Sequence, residues 1–223
     1  MGLILSALGW QPIEPETESE LNSHPRLVML YPHTSYFDFF LYLLYRNTSP
    51  SLGTKCKVLI NPYWMDIFGA ILEPLGGMRA TRREDSGGGV VSKIVDQLKG
   101  RDFIFLVSPK GCRDRHHWRS GYYQVALQTQ AKIVCAGFDY HQHRFVMCEP
   151  FDPSTMTLSE VETRCKREMA SMTPMNLEWA EYPLRAHLMP LNTSMVNDEQ
   201  MPLLLSLLLS LLLVLVMIAQ KMK

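Results

Sequence analysis

The sequence predicts an α/β fold: a single domain with a mostly parallel sheet flanked by helices, followed by a C-terminal transmembrane helix. Three observations carry this. Short apolar runs of strand length alternate with longer segments of helical spacing, the pattern of a parallel sheet with crossover helices. Hydrophobic residues make 47% and charged residues 20% of the 223-residue chain, too apolar for disorder and long enough for one sizeable core. The last 22 residues, Pro202–Lys223, stand apart, with ten leucines, no acid and two lysines.

Taken in order, residues 1–24 form an apolar and then acidic lead-in. Met1–Trp10 is a greasy N-terminal turn lying on the core or on a bilayer surface, and Gln11–Glu20 is acidic and Pro-containing, a surface segment. The domain is expected over residues 25–175. Leu27–Tyr31 is a short apolar run, read as a buried strand. Ser35–Arg46 is aromatic-rich and of helical length. Lys57–Ile60 reads as a second strand and Trp64–Leu72 as an apolar helix. In Val90–Lys99 the apolar residues Val90, Val91, Ile94, Val95 and Leu98 fall on one stripe, a helix with a buried face. Phe103–Val107 is a strand, Tyr122–Gln128 a helix, Ile133–Phe138 and Arg144–Cys148 strands, with an antiparallel edge allowed. Leu158–Ser171 is a charged helix. Residues 176–201 are weakly patterned and read as a linker to residues 202–223.

Charge and cysteine usage narrow the class. Lys+Arg and Asp+Glu are 22 each, which leaves no basic excess for coating nucleic acid, so no nucleic-acid partner is expected. Five cysteines at irregular spacing, without a CxxC pair, argue against a disulfide framework and for a reducing compartment. The N-terminus lacks the basic region and cleavage site of a signal peptide. Leu203–Ala219 runs for seventeen residues with only two serines, and as a helix at about 1.5 Å per residue it nearly crosses a ~30 Å hydrocarbon core. A single-pass C-terminal membrane anchor with the domain facing the cytosol is the expectation, although the flanking charges do not support that orientation.

Two strands end in polar clusters. Leu27–Tyr31 runs into Pro32-His33-Thr34-Ser35-Tyr36-Phe37-Asp38, and Phe103–Val107 into Ser108-Pro109-Lys110-Gly111-Cys112-Arg113. Parallel strands would bring both clusters to one edge of the sheet, where ligands bind in open α/β folds. Across a strand-to-helix turn the Asp38 carboxylate can fold back on the His33 imidazole, fix its tautomer and leave the other nitrogen as a general base. The competing reading makes Ser35 a helix cap with Asp38 in the first turn and His33 an ordinary loop residue. Cys112, His116 and His117 form an incomplete ligand set, so no metal site is expected.

His33-x4-Asp38 after an apolar strand resembles the first motif of the glycerol-phosphate and lysophosphatidate acyltransferase family, the HxxxxD acyltransferases. Gly76-Gly77-Met78-Arg79-Ala80-Thr81-Arg82 resembles the second block, a glycine then a short strand ending in arginine. Ser108–Arg113 resembles the third, Pro-Glu-Gly-Thr-Arg, and Trp118–Tyr123 with Ala131–Val134 the fourth. The likeness spans about Pro25–Phe151 and is closest to short bacterial-type members. It implies transfer of a fatty acyl group from a thioester donor, acyl-CoA or acyl carrier protein, to a hydroxyl of a lysophospholipid or glycerol phosphate, with no cofactor beyond the donor. His33 and Asp38 would be the catalytic pair, and the Trp64–Leu72 helix would be core or a wall for the acyl chain. Arg82 and Arg113 would bind the acceptor phosphate, Gly111 would let the backbone approach closely, Lys110 and Cys112 would complete the substrate-binding set, and membrane lipid would surround the acceptor. The sequence departs from the pattern at Lys110, where the family has glutamate, and at Cys112, where it has threonine. The charge inversion at Lys110 keeps an alternative open: an inactive lipid-binding or tail-anchored adaptor protein on the same fold.

Overall fold

Residues 2–35, 37–80, 89–111 and 117–176 are described by the computed structural model, and nothing below concerns the others. The membrane anchor over 202–223 and nearly all of the 176–201 linker lie outside the described residues. Among the described residues, no helix is long and apolar enough to cross a membrane.

Six strands form one sheet: β1 (Arg26–Leu30), β2 (Cys56–Ile60), β3 (Gly77–Arg79), β4 (Phe103–Val107), β5 (Lys132–Asp139) and β6 (Arg144–Met147), in the order β3-β2-β4-β1-β5-β6. Every neighbouring pair is parallel except β5–β6, the antiparallel edge. The central strands are apolar on both faces because helices cover both, as parallel sheets require. Side chains alternate accordingly. Val28, Leu30, Phe103, Phe105, Ile133 and Cys135 face one core, closed by α6 (Val90–Leu98), α7 (Gly121–Thr129) and α8 (Leu158–Met169). Leu27, Met29, Ile104, Leu106, Val134 and Ala136 face the other, closed by α1 (Gly2–Ala7), α2 (Pro15–Ser23), α3 (Phe37–Thr48) and α4 (Pro50–Lys55). Each large apolar side chain fully buried in this way contributes about 1.5–3 kcal/mol.

Local chemistry sets the element ends. At α8 the Thr157 hydroxyl accepts from the Glu160 N–H while the Glu160 carboxylate accepts from the Thr157 N–H, a reciprocal cap. The α4 helix starts at Pro50 behind Ser49, whose hydroxyl accepts from Leu52 N–H. The turn into β3 needs Gly76: its φ is +87°, and a Cβ there would stand 2.3 Å from the Cys56 carbonyl oxygen.

Two segments show how the structure answers the sequence reading, and α4, which the sequence reading lacks, adds a third. The N-terminal lead-in carries α1 and α2, and its greasy turn lies on the core: Leu5, Trp10 and Leu21 are buried in the α1–α4 core, so the lead-in is part of the domain's packing. The Trp64–Leu72 stretch is helical, within α5 (Pro62–Leu72), but it is not a core helix: only Met65 and Leu72 of α5 are buried, while Tyr63, Trp64 and Ile67 are exposed. An all-round apolar helix carries no periodic signal to say which face is covered.

Candidate functional site

Strand pairing brings the two polar clusters together. Leu30 of β1 lies opposite Val107 of β4, and the Tyr31 N–H donates to the Val107 carbonyl at 3.3 Å, so the loops after the two strands leave the same edge side by side. The first carries His33 and Asp38; the second carries Lys110 and Gly111. Pro109–Gly111 form a tight turn closed by Gly111 N–H to the Ser108 carbonyl at 3.1 Å, with Gly111 at φ +77°. Glycine adopts that left-handed backbone without strain. Lys110 is half-buried. Arg82, Cys112 and Arg113 lie outside the described residues. Arg79 of the second block forms an ion pair with Asp66, both half-exposed.

His33 Nδ1 lies 3.0 Å from Asp38 Oδ2. The same oxygen accepts from the Thr34 and Ser35 N–H groups, each at 2.9 Å. The Ser35 hydroxyl in turn accepts from Phe37 N–H at 3.0 Å. The two readings of this segment, helix cap and His–Asp pair, therefore describe one arrangement. A single carboxylate closes the first turn of α3 and holds the imidazole. An acceptor-only carboxylate on Nδ1 places the imidazole proton there and leaves Nε2 as the basic nitrogen. Asp38 is 2% exposed and the His33 side chain 28%, so the buried member orients the reachable one.

Sequence reasoning missed Tyr140. It follows β5, the other neighbour of β1, and its hydroxyl donates to Asp38 Oδ1 at 2.5 Å. Burial first, then the adjacent Asp38 charge, pushes the Tyr140 hydroxyl well above the usual tyrosine range, so it remains a neutral donor. Tyr31 is raised for the same two reasons, burial and then Asp38, with a smaller contribution from Cys56. Its ring lies 6.0 Å from that of His33, edge-on. The available signal for Tyr140 was its place just past the predicted strand Ile133–Phe138.

Behind Asp38 an apolar cavity of about 30 Å³ is lined by Met29, Tyr31, Tyr42, Leu106 and Phe138 among others. Ligand pockets run to roughly 300–1,000 Å³, so this is a packing gap and not a substrate chamber. The α5 helix does not line it. No group of His, Cys, Asp and Glu suited to a metal occurs among the described residues.

By sequence the chain matches no family model, and no curated protein matches it. By structure it is similar to the 1-acyl-sn-glycerophosphate (LPA) acyltransferase PlsC from Thermotoga maritima, with a TM-score of 0.51 at 14% identity over 74% of this chain and 71% of that one. At that identity the likeness is one of fold: a mostly parallel α/β sheet shared with a lysophosphatidate acyltransferase.

Proposed function

We propose that the chain is an O-acyltransferase moving a fatty acyl group from a thioester, acyl-CoA or acyl carrier protein, to a hydroxyl of a lysophospholipid or glycerol phosphate. The observation that carries this reading is the His33–Asp38 pair at the carboxyl edge of the sheet, with Nδ1 committed and Nε2 left as a base. The shared fold supports it.

In the reaction, His33 Nε2 takes the proton from the acceptor hydroxyl as that oxygen adds to the thioester carbonyl carbon. Asp38 holds the imidazolium that forms. The tetrahedral adduct collapses with cleavage of the C–S bond, and the departing thiolate takes the proton back from His33. The products are an ester and a free thiol, with no acyl-enzyme. Lys110, the Gly111 backbone and Cys112 stand beside the acceptor, and Arg82 and Arg113 bind its phosphate. A guanidinium fork suits phosphate oxygens. Lys110 in place of an acid adds positive charge there and favours an anionic acceptor. The Leu203–Ala219 run anchors the chain to a membrane, with the domain on the cytosolic side, where a bilayer-borne acceptor is at hand.

The test is acyl transfer from radiolabelled acyl-CoA, then from acyl-carrier donor, to glycerol phosphate and a panel of lysophospholipids. Wild type should turn over at least one acceptor. His33→Ala should lose about 10²–10⁴-fold in kcat, the contribution of a positioned general base. Folded wild type inert with both donors, or His33→Ala at wild-type rate, defeats the proposal.

A further inference from the structure

The α5 helix has a surface that the core does not use. It begins at Asn61, whose side-chain oxygen accepts from Tyr63 N–H at 2.9 Å, immediately after the carboxyl end of β2. The β2 strand is parallel to β4, and β4 to β1, so the start of α5 lies at the same sheet edge as His33. There it presents Tyr63, Trp64 and Ile67 at 57%, 47% and 52% exposure. The Trp64 ring stacks on that of Phe68 at 5.9 Å and meets Tyr63 edge-on at 5.4 Å, so the three rings form one patch. The only charged side chain in α5, Asp66, is neutralised by Arg79 at 2.5 Å. An exposed cluster of large apolar side chains of this kind marks a contact surface.

Three features identify the contact. Tyr and Trp, apolar rings with a polar tip, are the side chains that favour the headgroup level of a bilayer. The neutralised Asp66 removes the charge that would resist entry into that zone. The chain beyond Asn176 holds the seventeen-residue apolar run Leu203–Ala219, joined to the described domain by 26 residues, 177–202. Fully extended these reach at most roughly 90 Å, so a bilayer holding that run is always within reach of the domain.

We propose that the Tyr63–Trp64–Ile67 face of α5 is a lipid-docking surface that seats the domain on a bilayer with the carboxyl edge of the sheet beside the headgroups. This does not depend on the acyltransfer reading, and it is tested without an activity assay.

The full chain is reconstituted in phosphatidylcholine vesicles whose acyl chains carry bromine, a short-range quencher of tryptophan emission. Trp64 is one of four tryptophans, and Trp64→Phe removes the reporter while leaving the face apolar. Wild type should show a lipid-quenched component that Trp64→Phe lacks. The double variant Trp64→Glu/Ile67→Glu, on exposed positions that leave the fold intact by circular dichroism, should stay with the vesicles but lose the same component. Quenching of equal size in wild type and Trp64→Phe would overturn the proposal, since the buried lipid contact would then lie elsewhere. So would the absence of quenching in wild type, whether the face is covered by a second copy, seen as a dimer in detergent that the double variant dissociates, or by the chain's own apolar run.

Discussion

Asp38 concentrates the chemistry of the site in one side chain. Its carboxylate accepts from two backbone N–H groups, the Tyr140 hydroxyl and the His33 ring, all within hydrogen-bond distance. A buried carboxylate left short of donors costs more than the ~1–3 kcal/mol of a neutral group, so each partner matters. Tyr140→Phe removes one donor and leaves the ring. Asp38 Oδ1 is then left without that partner, and the carboxylate holds the His33 ring less firmly. The expected result is a lower kcat at unchanged KM, together with a lower Tm. A lower Tm with kcat unchanged would make Tyr140 structural only. The His33–Asp38 pair was legible from five-residue spacing after an apolar strand. Tyr140 was not, because it stands 102 residues away and reaches Asp38 only through the β1–β5 pairing.

Short elements held by side-chain hydrogen bonds escape periodicity, as α2 and α4 illustrate. The α4 helix has six residues including a glycine, and α2 buries only Leu21, so neither has a stripe to read. What fixes them is Glu18. Its carboxylate accepts from the Ser49 hydroxyl at 2.5 Å and from Ser51 N–H at 2.8 Å, tying α2 to the cap of α4. Partial burial pushes the Glu18 carboxyl up, but hydrogen bonds from Ser49 and Ser51, with Lys55 nearby, leave it below its ordinary value of 4.5. A carboxyl depressed in the folded state stabilises above its unfolded value and loses that contribution as pH falls through the folded one. Glu18→Gln should therefore lower Tm at pH 7, by no more than about 1 kcal/mol of stability at this half-exposed position. The gap to wild type should close as the pH drops below 4.5. Melting curves of both proteins from pH 7 to pH 3 check it, and a gap that persists in acid would mean the carboxylate charge is not what ties the helices. The long elements behaved otherwise. The α6 stripe and the central strands, apolar on both faces, were readable because their pattern and their burial have the same cause.

At the scale of the molecule, the N-terminal segment is what joins the antiparallel edge to the site. Trp10 is 5% exposed and packs edge-on against Tyr45, Phe138 and Tyr140, with the His143 ring 5.3 Å away. The backbone fastens it: Gln11 N–H donates to the His143 carbonyl at 2.9 Å, and the Tyr45 hydroxyl donates to the Gln11 carbonyl at 2.5 Å. One indole thus braces α3, the end of β5 and the turn into β6, the three places from which Asp38 and Tyr140 are held. Nothing in Met1–Trp10 by itself reveals this, because an isolated tryptophan after a greasy turn reads the same on a surface as in a core. Trp10→Ala should cost about 3–5 kcal/mol, the usual loss for a large aromatic deleted from a packed interior. For a domain of this size that is a Tm drop on the order of 10 °C. Trp10→Phe, which keeps an aromatic ring among the others, should recover part of it. Calorimetry on the three proteins decides the matter. A Tm within about 2 °C of wild type for Trp10→Ala, corresponding to under ~1 kcal/mol, would show that the N-terminal segment lies on the domain without bracing it.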